Sequence, residues 1–267
     1  MTGGSRGLGP YIARALAGEG AKLTLTARSA ASLREVAEEL AGKATRVHSI
    51  TADVCDDGAR RKLLEEAEAV LGPIDILVNN AGIEQIVSYT DLPPDRIEAM
   101  IDTNLVAPLI LSRLVLERMI ERGRGHVVMM SSLGGKKGSP YSATYAATKA
   151  GLIAWTSGLR IELQGTGVSA SVICPGFVSE AGMFAERSQQ APRVLGTSTP
   201  EAVAQAVVRA IQRDVGEIIV NPGPVRLGLV FEHLSPGLAR WALEKAGVYE
   251  YYRRQAEEER ESLRKGS

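Results

Sequence analysis

The chain is poor in the residues that build disulfide frameworks, metal clusters and aromatic binding cages: it has two cysteines, three histidines and 4% aromatic residues. Cys55 and Cys174 are too few and too far apart for a disulfide framework or a thiolate cluster, so both read as buried thiols. His48, His126 and His233 show neither HExxH nor triad spacing, so no metal site is expected and hydrolase chemistry has no candidate. No sign of charge is in excess, since 31 Lys and Arg face 31 Asp and Glu. A basic stripe of the kind nucleic acid requires is therefore missing, and small molecules are the expected partners. No uninterrupted apolar run is long enough to cross a bilayer, and the N-terminus has neither the basic nor the apolar region of a signal peptide. A cytoplasmic location is the expectation.

What is present is an alternation of short apolar runs and amphipathic stretches. "KLTLTA" (22–27), "ATRVHSITAD" (44–53), "IDILVNN" (74–80), "GHVVMMSS" (125–132), "VSASVIC" (168–174) and "GEIIVN" (216–221) read as strands. Helical patterns such as "AASLREVAEELAG" and "RIEAMIDTNLVAPLILSRLVLERMI" lie between them, and Pro108 predicts a bend in the second, because it removes an N–H that would bond the carbonyl of residue 104. Strand and helix in alternation give an α/β fold, a doubly wound parallel sheet. We read residues 1–225 as one catalytic domain with a substrate lid near 179–198, and 226–267 as a C-terminal helical extension. In such sheets ligands bind beyond the carboxyl ends of the strands, so chemistry is sought there.

Two stretches carry candidate chemistry. In "MTGGSRGLGP", Gly3, Gly7 and Gly9 lead into a helical pattern, and a helix N-terminus preceded by glycines suits a phosphate; a plain capping turn is the alternative. In "YSATYAATKAG" (141–151), Tyr145 and Lys149 stand one helical turn apart, so the ammonium can lie beside the phenol and favour its ionised form, preparing it for proton exchange. Tyr141 has no lysine at that spacing and is expected on the pocket wall or the surface.

Together with further segments these stretches resemble the short-chain dehydrogenase/reductase family in its single-domain form. "TGGSRGLG" resembles the phosphate loop of that family, "ADV" (52–54) its adenine-side strand end, "NNAG" (79–82) its sheet-stabilising turn, and "DTNL" (102–105) the segment of its catalytic asparagine. "SS" (131–132) resembles the position of the serine, "YAATK" the tyrosine and lysine, and "CPGFV" (174–178) the loop over the nicotinamide. The resemblance implies a Rossmann-like oxidoreductase that interconverts a ketone and a secondary alcohol by hydride transfer. Its implied catalytic residues are Asn104, Ser132, Tyr145 and Lys149. Spacing from the tyrosine selects Ser132, and Ser131, next along the strand, faces the other way.

The implied cofactor contacts are Gly3, Ser5, Arg6, Gly7, Leu8, Gly9, Arg28, Asp53, Val54, Asn80, Ala81, Tyr145, Lys149, Pro175, Gly176 and Val178. An N-cap role is the plainer alternative for Asp53. The second strand of the resemblance ends in "TARS", without the carboxylate that marks NAD, while Arg6 and Arg28 suit a 2′-phosphate, so NADP(H) is the expected cofactor. Met183 and Phe184 point to an apolar or lipid-like substrate. The segment "PVRLGLVFEHLSPGLARWALEKAG" could cover that substrate, pack on another subunit or rest weakly on a membrane surface, and "EYYRRQAEEERESLRKGS" reads as a solvated or fraying helix. The resemblance also implies a homodimer or homotetramer packed through residues 95–120 and 143–164. A non-catalytic nucleotide sensor or scaffold of the same fold is the rival reading. Finally, the glycine turn normally follows a buried strand, so Met1 is expected to be the last residue of the first strand, with the natural start upstream.

Overall fold

The computed structural model describes residues 1–41, 46–183, 185, 196–223 and 225–266. Among them the order is α1 (Gly9–Gly18), β1 (Leu23–Ala27), α2 (Ala30–Ala41), β2 (Val47–Thr51), α3 (Asp57–Leu71) and β3 (Ile76–Asn79). Next come α4 (Pro94–Ile101), a π-helical turn (Asp102–Val106), α5 (Ala107–Glu121), β4 (Gly125–Met130), α6 (Ala143–Glu162) and β5 (Val168–Pro175). The chain then adds α7 (Pro200–Gln212), β6 (Glu217–Val220), α8 (Val225–Leu234), α9 (Pro236–Lys245) and α10 (Val248–Gly266). Each expected strand is found, most of them shorter at one or both ends and β5 one residue longer.

All strand pairs are parallel, and they form two sheets, β1-β2 and β3-β4-β5-β6. Side chains alternate across them as the pleat requires. Val128 and Met130 of β4 enter a core with Ile12, Leu33 and Val203 from α1, α2 and α7. Their neighbours Val127 and Met129 enter a second core with Leu111, Val115 and Leu152 from α5 and α6. Helices thus cover both faces, as expected for a doubly wound sheet. The run Pro94–Glu121 is long and apolar enough to span a bilayer by composition, yet its Leu111, Val115, Leu116 and Met119 are buried in that second core.

Residues 1–4 lie between the two sheets. The Met1 amine donates to Thr24 O at 2.7 Å, and its burial pulls the ammonium down to about 5. Thr26 N donates to Met1 O at 3.0 Å, Thr2 N to Val78 O at 2.9 Å and Gly4 N to Thr26 O at 3.1 Å. Met1 and Thr2 therefore hold the central-strand position between β1 and β3. The Thr2 hydroxyl accepts from Asn80 N at 3.0 Å and Ala81 N at 3.1 Å, and Asn80 Nδ2 returns bonds to Thr2 O and Gly3 O at 3.2 and 2.9 Å.

Three expectations need correction. The helical run Pro94–Glu121 does more than bend at Pro108: it widens through a π-turn, where Ala107 N reaches back to Asp102 O, and Pro108 sits just past that turn inside the continuous run. Cys174 is buried and its thiol is pushed up to about 12 by desolvation, but Cys55 is exposed, because β2 has ended at Thr51 and Cys55 lies in the following turn. The C-terminal run is not solvated all round: Tyr251 and Gln255, one turn apart on α10, are buried together with Ala256.

Thr2→Val keeps the side-chain shape but removes the acceptor shared by two amides. At about 1–3 kcal/mol for each buried donor left unpaired, the unfolding free energy should fall by about 2–4 kcal/mol in urea denaturation. A loss below about 0.5 kcal/mol would mean that the loop finds other partners.

Candidate active site

A cleft of about 730 Å³ opens at the carboxyl ends of β1, β3, β4 and β5. Except for Asn104 and Gly9, every expected site residue lines it: Gly3, Ser5, Arg6, Gly7, Leu8, Arg28, Asp53, Val54, Asn80, Ala81, Ser132, Tyr145, Lys149, Pro175, Gly176 and Val178. Of the two substrate-side residues, Met183 lines it as well, and Phe184 lies outside the described residues.

One half of the cleft is built from backbone. Gly3 and Gly7 have φ of +65° and +60°, a left-handed conformation that favours glycine. A Cβ on Gly9 would run into the Gly3 carbonyl, so Gly9 shapes the loop from beneath. The first turn of α1 has no side-chain cap; Gly9 N donates to Arg6 O at 3.1 Å and Pro10 has no N–H, so the positive end of the helix abuts the loop. The buried hydroxyl of Thr26, also in the cleft wall, has no hydrogen-bond partner among the described residues. Amides at a helix N-terminus, a glycine cradle and an orphan hydroxyl together fit a dinucleotide with its pyrophosphate on α1. The exposed side chains of Arg6 and Arg28 stand at the same end, with Ser29 and Ser32. Asp53 does not cap α3; Asp56 does, accepting from Ala59 N at 2.6 Å, while Asp53 accepts from Cys55 N at 2.9 Å and tightens the turn at the adenine end.

The other half is built from side chains held by tight packing. Ser131 Oγ donates to Lys149 O at 2.8 Å, so its hydroxyl is committed to α6 although the residue borders the cleft. Ser132 Oγ accepts from Gly134 N at 3.0 Å, which leaves its proton to point into the cleft. A Cβ on Gly134 would lie 3.5 Å from Ser132 Oγ and 3.7 Å from the Tyr145 ring, so both side chains flank one small space. Gly135 packs so closely on the Lys149 backbone that a Cβ there would approach it to 2.6 Å. Lys149 is buried, with Nζ 5.5 Å from the Tyr145 ring centre and donating to Met130 O at 2.8 Å. Desolvation pulls its ammonium down to about 8, and the Glu84 carboxylate acts in the opposite sense. Asn104 stands behind the cleft: its amide bonds both backbone groups of Ile83 at 2.8 Å and reaches Thr148 Oγ1 at 3.3 Å. It fixes Gly82 and Ile83 against α6. Tyr141 does not line the cleft; at φ 61° it forms the turn before α6, and its carbonyl accepts from Val87 N at 3.0 Å.

Sequence reasoning did not single out Gly82, Glu84 and Lys137 in the cleft or the bonds of Thr2 beneath it; Gly82 lay within "NNAG", which carried a signal. α8–α10 add a wall: its Leu229 and Leu243 fall in the segment expected to cover substrate, pack on another subunit or rest on a membrane, while Val248, Tyr249 and Tyr252 were not anticipated. Elsewhere, among the described residues, no group of His, Cys, Asp and Glu could hold a metal ion, and His126 is tied to Ser171 at 2.8 Å.

A dinucleotide cradle at the switch between two sheets, beside a Ser-Tyr-Lys cluster, defines a nucleotide-dependent oxidoreductase site. The family model described as short chain dehydrogenase matches residues 1–192, and the chain belongs to that family. It is 41% identical over 262 residues to ketoacyl reductase HetN of Nostoc sp. strain PCC 7120, covering 96% of this chain and 91% of the relative. A metagenomic short-chain oxidoreductase in complex with NADP superposes with TM-score 0.70 at 32% identity, over 82% of this chain and 94% of that one. A variant of actinorhodin polyketide ketoreductase with NADPH gives TM-score 0.75 at 29% identity, over 82% and 93%. The family match stops before α8–α10.

Since a charged Lys149 is desolvated in the folded state alone, its burial opposes folding fully below pH 8, and the opposition fades as pH rises from about 8 to the ordinary 10.5. Lys149→Met should therefore raise the unfolding free energy at pH 7 by about 1–3 kcal/mol. The gain should shrink between pH 8 and 10.5. Denaturant titrations across this range check both, and a destabilised variant would contradict the desolvation argument.

Proposed function

We propose that the protein is an NADP(H)-dependent reductase that interconverts a ketone and a secondary alcohol on an apolar substrate. The observation that carries the reading is the small space flanked by the Ser132 hydroxyl and the Tyr145 phenol, with the Lys149 ammonium buried behind. A bound nicotinamide would supply the hydride. Ser132 donates to the substrate oxygen, where negative charge develops, and Tyr145 delivers the proton. Lys149 would hold the cofactor ribose, and its ammonium beside the phenol favours the ionised tyrosine after transfer. Asn104 acts as a positioning residue, through Ile83 and Thr148.

The cofactor preference rests on Arg6 and Arg28, which suit a 2′-phosphate through charge-assisted bonds. The apolar substrate rests on the cleft wall, where Ile83 and Met183 pack in one cluster with Tyr145; HetN, named as a ketoacyl reductase, makes a ketoacyl group the first candidate. A homodimer or homotetramer through α5 and α6 accords with the exposed Ile120 and Ile161 on those helices.

Tyr145→Phe should reduce carbonyl turnover by about a thousandfold, within the range general acid catalysis supplies, while NADPH binding, followed by fluorescence, stays near wild type. Retained turnover within tenfold would overturn the assignment. The wild type should prefer NADPH over NADH by about tenfold or more, about the contribution of one charge-assisted bond, and Arg28→Asp should narrow or invert that ratio in steady-state kinetics.

A further inference from the structure

The cleft has a wall that the proposed chemistry does not use. We propose that α8–α10 form a substrate cap whose inner side chains Leu229, Leu243, Val248, Tyr249 and Tyr252 select carbonyl substrates that carry an extended apolar chain. This rests on the carbonyl-reduction reading and adds to it the shape of the substrate body and the residues that choose it.

The cap is fastened to each loop around the reacting space. Lys137, in the loop that begins with Ser132, pairs with Glu232 of α8 at 2.8 Å. In the segment after β3, Asp91 pairs with Arg260 of α10 at 3.2 Å, and Ile86 N donates to Glu259 at 3.0 Å. After β5, Phe177 packs edge-on to Tyr251 at 5.6 Å and beside Tyr252 at 6.5 Å between ring centres. Ion pairs this exposed add little stability and chiefly set position; the holding force is the burial of Ala239, Val248, Tyr251 and Ala256. The wall so placed offers methyl groups, methylenes and two phenol rings, and no ionised side chain. A methylene chain finds surface to bury there, whereas a charged body would lose its hydration without a partner. The opposite side of the same helices is exposed at Leu234 and Trp241, so inner and outer substitutions separate the cap's contact with substrate from its general apolarity.

The test is the length profile for methyl ketones from butanone to dodecanone with NADPH. In the wild type kcat/KM should rise about fourfold for each methylene buried. Tyr252→Ala and Leu243→Ala should each cut the dodecanone-to-butanone ratio by about tenfold or more, whereas Trp241→Ser, on the outer side, should keep it. An unchanged slope in both inner variants overturns the proposal. Cooperative melting and NADPH fluorescence verify the fold of each, with Tyr252→Leu replacing an unfolded Tyr252→Ala. The rise in melting temperature caused by secondary alcohols of the same lengths, in the presence of NADP, reads binding without turnover. A length-dependent rise that Tyr252→Ala abolishes, with no ketone reduced, would overturn the carbonyl-reduction reading and keep the cap. Turnover with a length-independent rise would overturn the cap and keep that reading, and neither turnover nor length dependence would overturn both.

Discussion

The contact on which the rest of the molecule depends is the Thr2 hydroxyl accepting from the N–H groups of Asn80 and Ala81. The two sheets wind in opposite directions from this seam, so their connections leave a crevice at the carboxyl edge. The seam also sets the height of the phosphate loop against β3, because Asn80 holds the Gly3 carbonyl as well. With the loop placed, the N-terminus of α1 stands behind it, and the cofactor half of the cleft has its position relative to β4 and β5. A slip at Thr2 would shift the loop relative to Ser132 and Tyr145, and hydride transfer tolerates little misplacement.

Lys149 shows how the site works against the fold. A fully desolvated ammonium, paired with one carbonyl and influenced by Glu84, is an arrangement that stability alone would not favour. It persists because its surroundings are overdetermined: Gly135 lies on the Lys149 backbone, Ser131 donates to its carbonyl, and Gly82 leaves room beside Nζ that a Cβ would restrict to 3.4 Å. These contacts belong to residues that flank the reacting groups without reacting, which is how strain at a functional site is held.

The parts that were legible in sequence are those encoded by local spacing. Strand and helix alternate with periods of two and 3.6, so the doubly wound layers follow from pattern. Helical spacing made Tyr145 and Lys149 candidates, and the ordered motifs of the family resemblance selected them and, by its serine-to-tyrosine spacing, Ser132; the Ser131 hydroxyl bond to Lys149 O accords with that choice. What was hidden is nonlocal. Lys137 meets Glu232, and Ile86 meets Glu259, across 173 positions in the latter case, and no periodicity reports such a pairing. α10 was misjudged for a related reason: charged residues dominate its composition, while its buried stripe among the described residues is Val248, Tyr251, Gln255 and Ala256. The π-turn at Asn104 escaped because Pro108 offered a simpler cause for a bend nearby.

The two halves of the cleft therefore differ in what can be altered. On the cofactor side the geometry depends on close backbone approaches: a Cβ on Gly9 would collide with the Gly3 carbonyl, and one on Gly3 would come within 2.9 Å of the Ala81 backbone. Substitution there changes the fold of the loop before it changes affinity. On the substrate side the wall is a set of helix side chains beyond the family match, held at its edges by solvent-exposed ion pairs that contribute modestly. Exchanging one apolar side chain for another on that wall alters contact area by tens of Å² and leaves the Thr2 seam, the phosphate loop and the Ser-Tyr-Lys cluster untouched. Cofactor chemistry and substrate choice are thus separable in this chain, because the first is written in backbone and the second in side chains.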